Sequence, residues 1–256
     1  MLRDLLKKYD HKQIFTGWSG AQVYYLPGPA AYLKIAPVES LTDLKREAEV
    51  LSWLKGKLPV PDVLEFEETD GSYLILISEV RGVPASEYIA GSRDNPGLIA
   101  EFVETSAGAM RAMHDLPIGD CGLREDIEVK LATAQENIRR EFVDESDFDI
   151  ENQGRTASDI YDELVKKKSL SEDLVFTHGD FCLPNFMIAD SGISGFIDLD
   201  RAGVADRYQD IALFLRSFAF NIEMQMDIRE AFCRAYGIGS LDEEKLYYYR
   251  LLDELF

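Results

Sequence analysis

The sequence predicts an α+β chain of two lobes, a β-rich antiparallel lobe at residues 1–80 and a larger, mainly helical lobe at 81–256. Three observations carry that prediction. Short β-branched and aromatic runs separated by turn signals are confined to the first 80 residues. From about Pro96 onward the readable hydrophobic periodicity is helical. The 256 residues, 46% of them hydrophobic, can bury the core of two modest lobes that share a cleft.

The elements follow in order. Leu2 to Tyr9 reads as a short helix. Gln22–Leu26 (QVYYL) and Ala31–Ile35 (AYLKI) read as strands joined by the turn Pro27-Gly28-Pro29. Leu41 to Gly56 has helical periodicity, with Leu44, Ala48, Leu51 and Leu54 on one face, and Gly56 and Pro59 end it. Val63–Phe66 is a strand, Asp70-Gly71 a hairpin turn, and Tyr73–Ile77 (YLILI) the continuous apolar run of a central buried strand. The lobes join near Ser78–Pro84. Helices are predicted at Leu98–His114, Arg124–Phe142, Ser158–Lys167, Asp206–Phe220, Ile222–Tyr236 and from Asp242 to Phe256, interrupted by strands near Phe186–Ala189 and Ile193–Leu199.

Composition removes several function classes. A formal charge of −20 is the wrong sign for a nucleic-acid partner. No run approaches the ~18 apolar residues of a membrane span, and MLRDLLKKYD is no secretory signal, so a cytoplasmic protein, monomeric or weakly dimeric, is expected. Three cysteines without a CxxC pair suggest neither a disulfide framework nor a zinc site. The acid excess is uneven: residues 1–80 hold nine Lys/Arg against twelve Asp/Glu, and 81–256 hold eighteen against thirty-five. Such a field attracts a cationic ligand, although acidic surfaces also serve solubility alone.

The chemistry concentrates between Phe176 and Arg201 (FTHGDFCLPNFMIADSGISGFIDLDR). Asp180 is followed five residues later by Asn185 and thirteen after that by Asp198. Phosphoryl transfer needs a carboxylate to take the acceptor hydroxyl's proton and hard oxygen ligands for Mg²⁺ beside a triphosphate. Asp180 could supply the first, and Asn185 and Asp198 the second. The predicted hairpin, turning at Asp190-Ser191-Gly192, would bring Asn185 and Asp198 to one end. By spacing alone the three could equally be turn residues.

This segment, continued by GFIDLDRAGVADRYQDIALFLRS and the closing YYRLLDELF, resembles the catalytic and metal-binding loops of the aminoglycoside 3′-phosphotransferase family. Trp53–Pro61 (WLKGKLPVP) and Ile77–Val83 (ISEVRGV) extend the resemblance over nearly the whole chain. It implies a bilobal protein-kinase-like fold, Mg²⁺ and ATP (with GTP open) as cofactors, and a polycationic aminoglycoside as acceptor. By the same resemblance Asp180 is the catalytic base, Asn185 and Asp198 are the metal ligands, and His178 braces the loop. Lys34 would contact the α- and β-phosphates with Glu47 as its ion-pair partner. Ser19, within Thr16–Gly20, would lie over the phosphates. Tyr32 and Ile197 would sandwich the adenine, and the backbone of Ser78 and Val80 would read its edge. The acceptor would meet Arg201, Arg216, Asp253, Glu254, the carboxylate of Phe256, and acids among Glu141, Asp144, Glu145, Asp147, Asp149 and Glu151.

The residues also have plainer readings. Lys34 could be a solvated strand lysine, Tyr32 a core aromatic, and the 141–151 acids a solvated loop. His114 reads as a C-terminal capping residue of its helix. Asp200 stands where the family commonly has glycine, so a third carboxylate approaches the metal site. Asn221 stands where relatives can present an acid. A kinase of another metabolite such as choline, an amino acid or a sugar, and a non-catalytic nucleotide-binding protein, are the alternatives.

Overall fold

The structure is a computed structural model that describes residues 1–14, 20–92, 95–168, 171–190, 192–222 and 228–256. A 3₁₀ turn and the helix α1 (Leu5–Lys8) precede five strands, β1 (Lys12–Ile14), β2 (Gln22–Leu26), β3 (Ala31–Pro37), β4 (Val63–Thr69) and β5 (Ser72–Ser78). The strands form one antiparallel sheet in the order β1-β2-β3-β5-β4, with β1 and β4 at its edges and β3 and β5 side by side within it. Period-two alternation explains why both are buried on two sides. Leu33, Ile35 and Leu74 pack on Leu2 and Leu26 in a small core under the N-terminal turn. Ala36, Ile75 and Ile77 face the other way, onto Leu44, Val50, Leu51 and Leu54 of helix α2 (Leu44–Leu54). Lys34 shares that second face with Tyr32 and Ala36, which turns it toward α2.

Asp43 caps α2 by accepting the Arg46 N–H at 2.9 Å, which starts the helix three residues later than its periodicity suggests. Its buried stripe is Leu44, Glu47, Val50, Leu51 and Leu54. Ala48, predicted on that stripe, is partly buried against the core, and a carboxylate, Glu47, joins the apolar face beside it.

Beyond β5 come β6 (Val83–Pro84), α3 (Ala85–Ala90), α4 (Pro96–His114), α5 (Ile127–Arg139) and α6 (Ala157–Lys166). They are followed by β7 (Leu174–Thr177), β8 (Phe186–Ala189), β9 (Gly192–Phe196), β10 (Gly203–Asp206), α7 (Tyr208–Ile222), α8 (Arg229–Tyr236) and α9 (Glu243–Asp253). The helix read from Arg124 begins at Ile127, because the Asp126 side chain accepts the Val129 N–H. The helix read as Ile222–Tyr236 is divided: Ile222 closes α7, α8 opens at Arg229, and 223–227 lie outside the described residues. The sequence reading lacked β7 and β10. Each is four residues long; they pair with each other, Gly203 opposite Thr177, and Val204 of β10 also bridges to Arg124, long-range matches that local patterning does not encode. Among the described residues no helix is long and apolar enough to cross a membrane, and Cys121 and Cys182 are free thiols.

Candidate active site

Lys34, on the α2 side of β3, places its Nζ 2.7 and 3.0 Å from the two Glu47 oxygens and 2.8 Å from Asp198 Oδ1. Burial alone would favour loss of its proton, but the Asp198 and Glu47 charges overcome that and raise its pKa. Burial raises the Glu47 carboxyl against the opposing pull of Lys34. Asp198 is lowered by Lys34, and its side chain is 53% exposed, open toward solvent on the side away from the lysine. Asp198 has φ 62°, a left-handed conformation uncommon outside glycine and tolerated by Asp and Asn. Asp200 is half-buried, and burial together with the Asp198 and Glu47 charges pushes its carboxyl up to about 7.

Asp180 follows directly on β7. The N–H groups of His178 and Gly179 donate to Asp210 Oδ2 and Oδ1 at 2.7 and 2.9 Å, and Gln209 Nε2 donates to the Gly179 carbonyl at 3.1 Å. Gly179 has φ 83°, and a Cβ there would stand 2.0 Å from the Arg201 carbonyl oxygen, so this turn admits only glycine. Among the described residues the His178 ring nitrogens have no hydrogen-bond partner, and the ring packs edge-on against Phe181 and Phe196. Its brace is therefore apolar for the ring and polar for the main chain.

Asn185 ends a 3₁₀ turn and donates from Nδ2 to Asp180 Oδ2 at 2.7 Å and to the Asp180 carbonyl at 3.1 Å. Both partners are acceptors only, which sets the amide orientation and leaves Asn185 Oδ1 turned elsewhere. The Ile197 N–H donates to the Asn185 carbonyl at 2.9 Å and joins this turn to the strand end that carries Asp198. Asp180, Asn185, Asp198, Lys34 and Glu47 thus form one connected polar group where the sheet meets the helices.

The residues expected around a base are nearby but differently engaged. Tyr32 is half-buried, with its ring 5.0 Å from that of Tyr25. The Ser78 N–H is taken by the Asp62 carbonyl at 2.9 Å, so any base contact of Ser78 must use its carbonyl. Val80 packs against Gly195, where a Cβ would come within 2.7 Å of Val80 Cγ1. Ile197 is half-buried. Ser19, with Thr16, Gly17 and Trp18, lies outside the described residues.

Arg201 Nη2 donates to Asp253 Oδ1 at 2.5 Å, and Arg216 donates to Asp253 Oδ2. Burial would raise the Asp253 carboxyl, but the two guanidinium groups hold it at about 2. The Arg201 guanidinium lies 4.8 Å from the centre of the Phe256 ring. Glu254 is turned back into the protein, accepting the Asp149 N–H and Asn152 Nδ2. In the acidic loop Asp149 faces Arg216 at 3.7 Å, Glu151 pairs with Arg250 at 3.0 Å, and Glu145 accepts the Ala157 N–H at 2.7 Å.

His114 corrects an expectation: it is no carbonyl cap. Its Nε2 lies 3.0 Å from Asp210 Oδ2 and its Nδ1 2.6 Å from the Tyr236 hydroxyl, all buried. A carboxylate only accepts, so Nε2 carries a proton. Asp210 itself was missed. The available signal was its place on the apolar stripe of α7 with Leu213, Phe214 and Ser217, where a carboxylate demands buried donors.

The profile of the phosphotransferase enzyme family matches residues 10–249. An aminoglycoside 3′-phosphotransferase of Niallia circulans is 41% identical over 244 residues, covering 94% of this chain and 90% of that protein. One from Streptomyces fradiae is 36% identical, covering 98% of both. The solved structure of aminoglycoside phosphotransferase APH(3'')-Id from Streptomyces rimosus superposes with a TM-score of 0.86 at 27% identity, covering 99% of this chain and 95% of that one. The same protein has been solved in complex with ADP and streptomycin. This chain belongs to the phosphotransferase enzyme family.

Proposed function

We propose that this chain transfers the γ-phosphoryl group of ATP to the 3′-hydroxyl of an aminoglycoside, and so confers resistance to it. The observation that carries the reading is that the Lys34–Glu47–Asp198 cluster and the Asp180–Asn185 pair are joined through the hydrogen bond from the Ile197 N–H to the Asn185 carbonyl. Relatives up to 41% identical are aminoglycoside 3′-phosphotransferases, which supports the choice of acceptor. Residues 1–80 hold the nucleotide, and 81–256 carry the catalytic loop and the acceptor site. The site of action is the cytoplasm, where ATP is available.

Lys34, anchored by Glu47, offers its ammonium to the α- and β-phosphates. Asn185 Oδ1 and the exposed face of the Asp198 carboxylate are the hard oxygen donors that suit Mg²⁺ in a triphosphate complex, which takes one or two protein ligands. Mg²⁺ held there would supply charge neutralisation of the triphosphate. Asp180, oriented through Oδ2 by Asn185, accepts the acceptor hydroxyl's proton on its other oxygen. The thirty-five acids of residues 81–256 provide a field that gathers a polycation.

Mass spectrometry of kanamycin and neomycin after incubation with the protein, ATP and Mg²⁺ should show addition of one phosphoryl group, and none when Mg²⁺ is chelated. Consumption of ATP with choline or a sugar as acceptor, and no modified antibiotic, would transfer the assignment to a metabolite kinase. Glu47→Gln should lower kcat/KM for ATP by about tenfold, the scale of one weakened charge-assisted hydrogen bond. An unchanged kcat/KM would remove Glu47 from the anchoring of Lys34.

A further inference from the structure

Asn152 is buried, 8% exposed, in the loop between α5 and α6. Its Nδ2 donates to Glu254 Oε1 at 2.7 Å, its Oδ1 accepts from Arg155 Nη1 at 3.1 Å, and its N–H donates to the Asp149 carbonyl at 2.7 Å. Arg155 is tied in turn to Glu163 of α6 at 2.7 Å. Both Glu254 oxygens also take the Asp149 N–H at 3.1 Å. The Asp149 carboxylate faces Arg216, Arg216 holds Asp253, and Asp253 holds Arg201, whose carbonyl packs on Gly179 beside Asp180. One side chain therefore links α6, the acidic loop and the residue that ends α9.

Glu254 and Asp149 are neighbouring carboxylates that repel each other. The Asn152 amide holds the Glu254 carboxylate, and the Asn152 N–H holds the Asp149 carbonyl, without adding a positive charge to the two that Arg216 and Arg250 already bring to the Asp149 carboxylate. We propose that Asn152 is a positioning residue of the acceptor site, which sets the geometry of Glu254 and the Asp149 turn and thereby the affinity for aminoglycoside ammonium groups. The proposal rests on the functional reading above.

The test is Asn152→Asp, which keeps the size and exchanges the donor facing Glu254 for an acceptor. KM for kanamycin should rise about tenfold, the cost of one charge-assisted hydrogen bond, with KM for ATP within about twofold. The groups facing the new carboxyl pair are Asp149 and Arg216 beside Glu254 and Arg155 beside the substituted position. Lower pH favours a proton shared between the two crowded carboxyls, which restores the hydrogen bond, so the kanamycin KM should move toward that of the wild type at the same pH. Hydrogen exchange at the Asp149 amide should be faster by about fivefold or more.

A kanamycin KM and an Asp149 exchange rate both equal to wild type would overturn the proposal, as would parallel increases in both KM values with no pH recovery. If Asn152→Asp fails to fold, Arg155→Met, which frees the other end of the amide, should raise the kanamycin KM alone, and no rise would overturn it. If the wild type phosphorylates no aminoglycoside, the functional reading falls separately, and the Asp149 exchange still decides whether Asn152 holds the loop.

Discussion

Asp180→Ala should lower kcat by about 10²-fold or more, the scale of a positioned general base. The KM for ATP should change little, because Lys34 and Glu47 form their pair without Asp180. The effect should concentrate in kcat because, in the proposed role, the carboxylate acts on the acceptor hydroxyl as it attacks and takes no part in ground-state binding of the nucleotide. Asn185 would lose both a carboxylate oxygen and the orientation that goes with it. Asp180→Asn keeps the shape and most of the hydrogen bonding but cannot take the proton, so it should lose nearly as much. Steady-state kinetics on both variants decide the matter; turnover near wild type in either would remove Asp180 from the role of base.

Asp210→Ala should cost about 3 kcal/mol of stability and most of the activity. The fully buried carboxylate accepts the His178 N–H, the Gly179 N–H and His114 Nε2. Its removal leaves three buried donors without partners, each worth roughly 1–3 kcal/mol, offset in part by local relaxation. For a chain of this length that corresponds to a loss of about 6–12 °C in Tm. The same truncation unpins the turn immediately before Asp180, so kcat should fall even at temperatures where the variant is folded. Thermal unfolding with parallel kinetics checks both parts. A Tm within about 2 °C of wild type would show that Asp210 does not hold the loop.

The difference between these two carboxylates shows what was legible. Asp180 stands in a short string, His178 to Asp198, whose composition and spacing suggest chemistry before any coordinates exist. Asp210 stands in an ordinary amphipathic helix, and its three donors come from positions 32, 31 and 96 residues away. Glu47 was suggested as a lysine partner by resemblance, while its periodicity was read without it. The structure shows it on the buried stripe of α2 because Lys34 crosses from the sheet to meet it. Glu254, expected to face an acceptor, turns its carboxylate to the loop amide of Asp149 and to Asn152, a partner 102 residues distant.

The chain's local pattern determined its α+β class, the strands that carry Lys34 and the hydrogen-bond-rich loop that carries Asp180, because period, turn chemistry and residue type act over a few residues. The tertiary structure alone decided which charges meet: Lys34 with Asp198 across 164 residues, Arg201 and Arg216 on Asp253, and Asn152 on Glu254. Buried ionic groups must find partners wherever the packed lobes bring them, and that distance in sequence leaves no periodic trace.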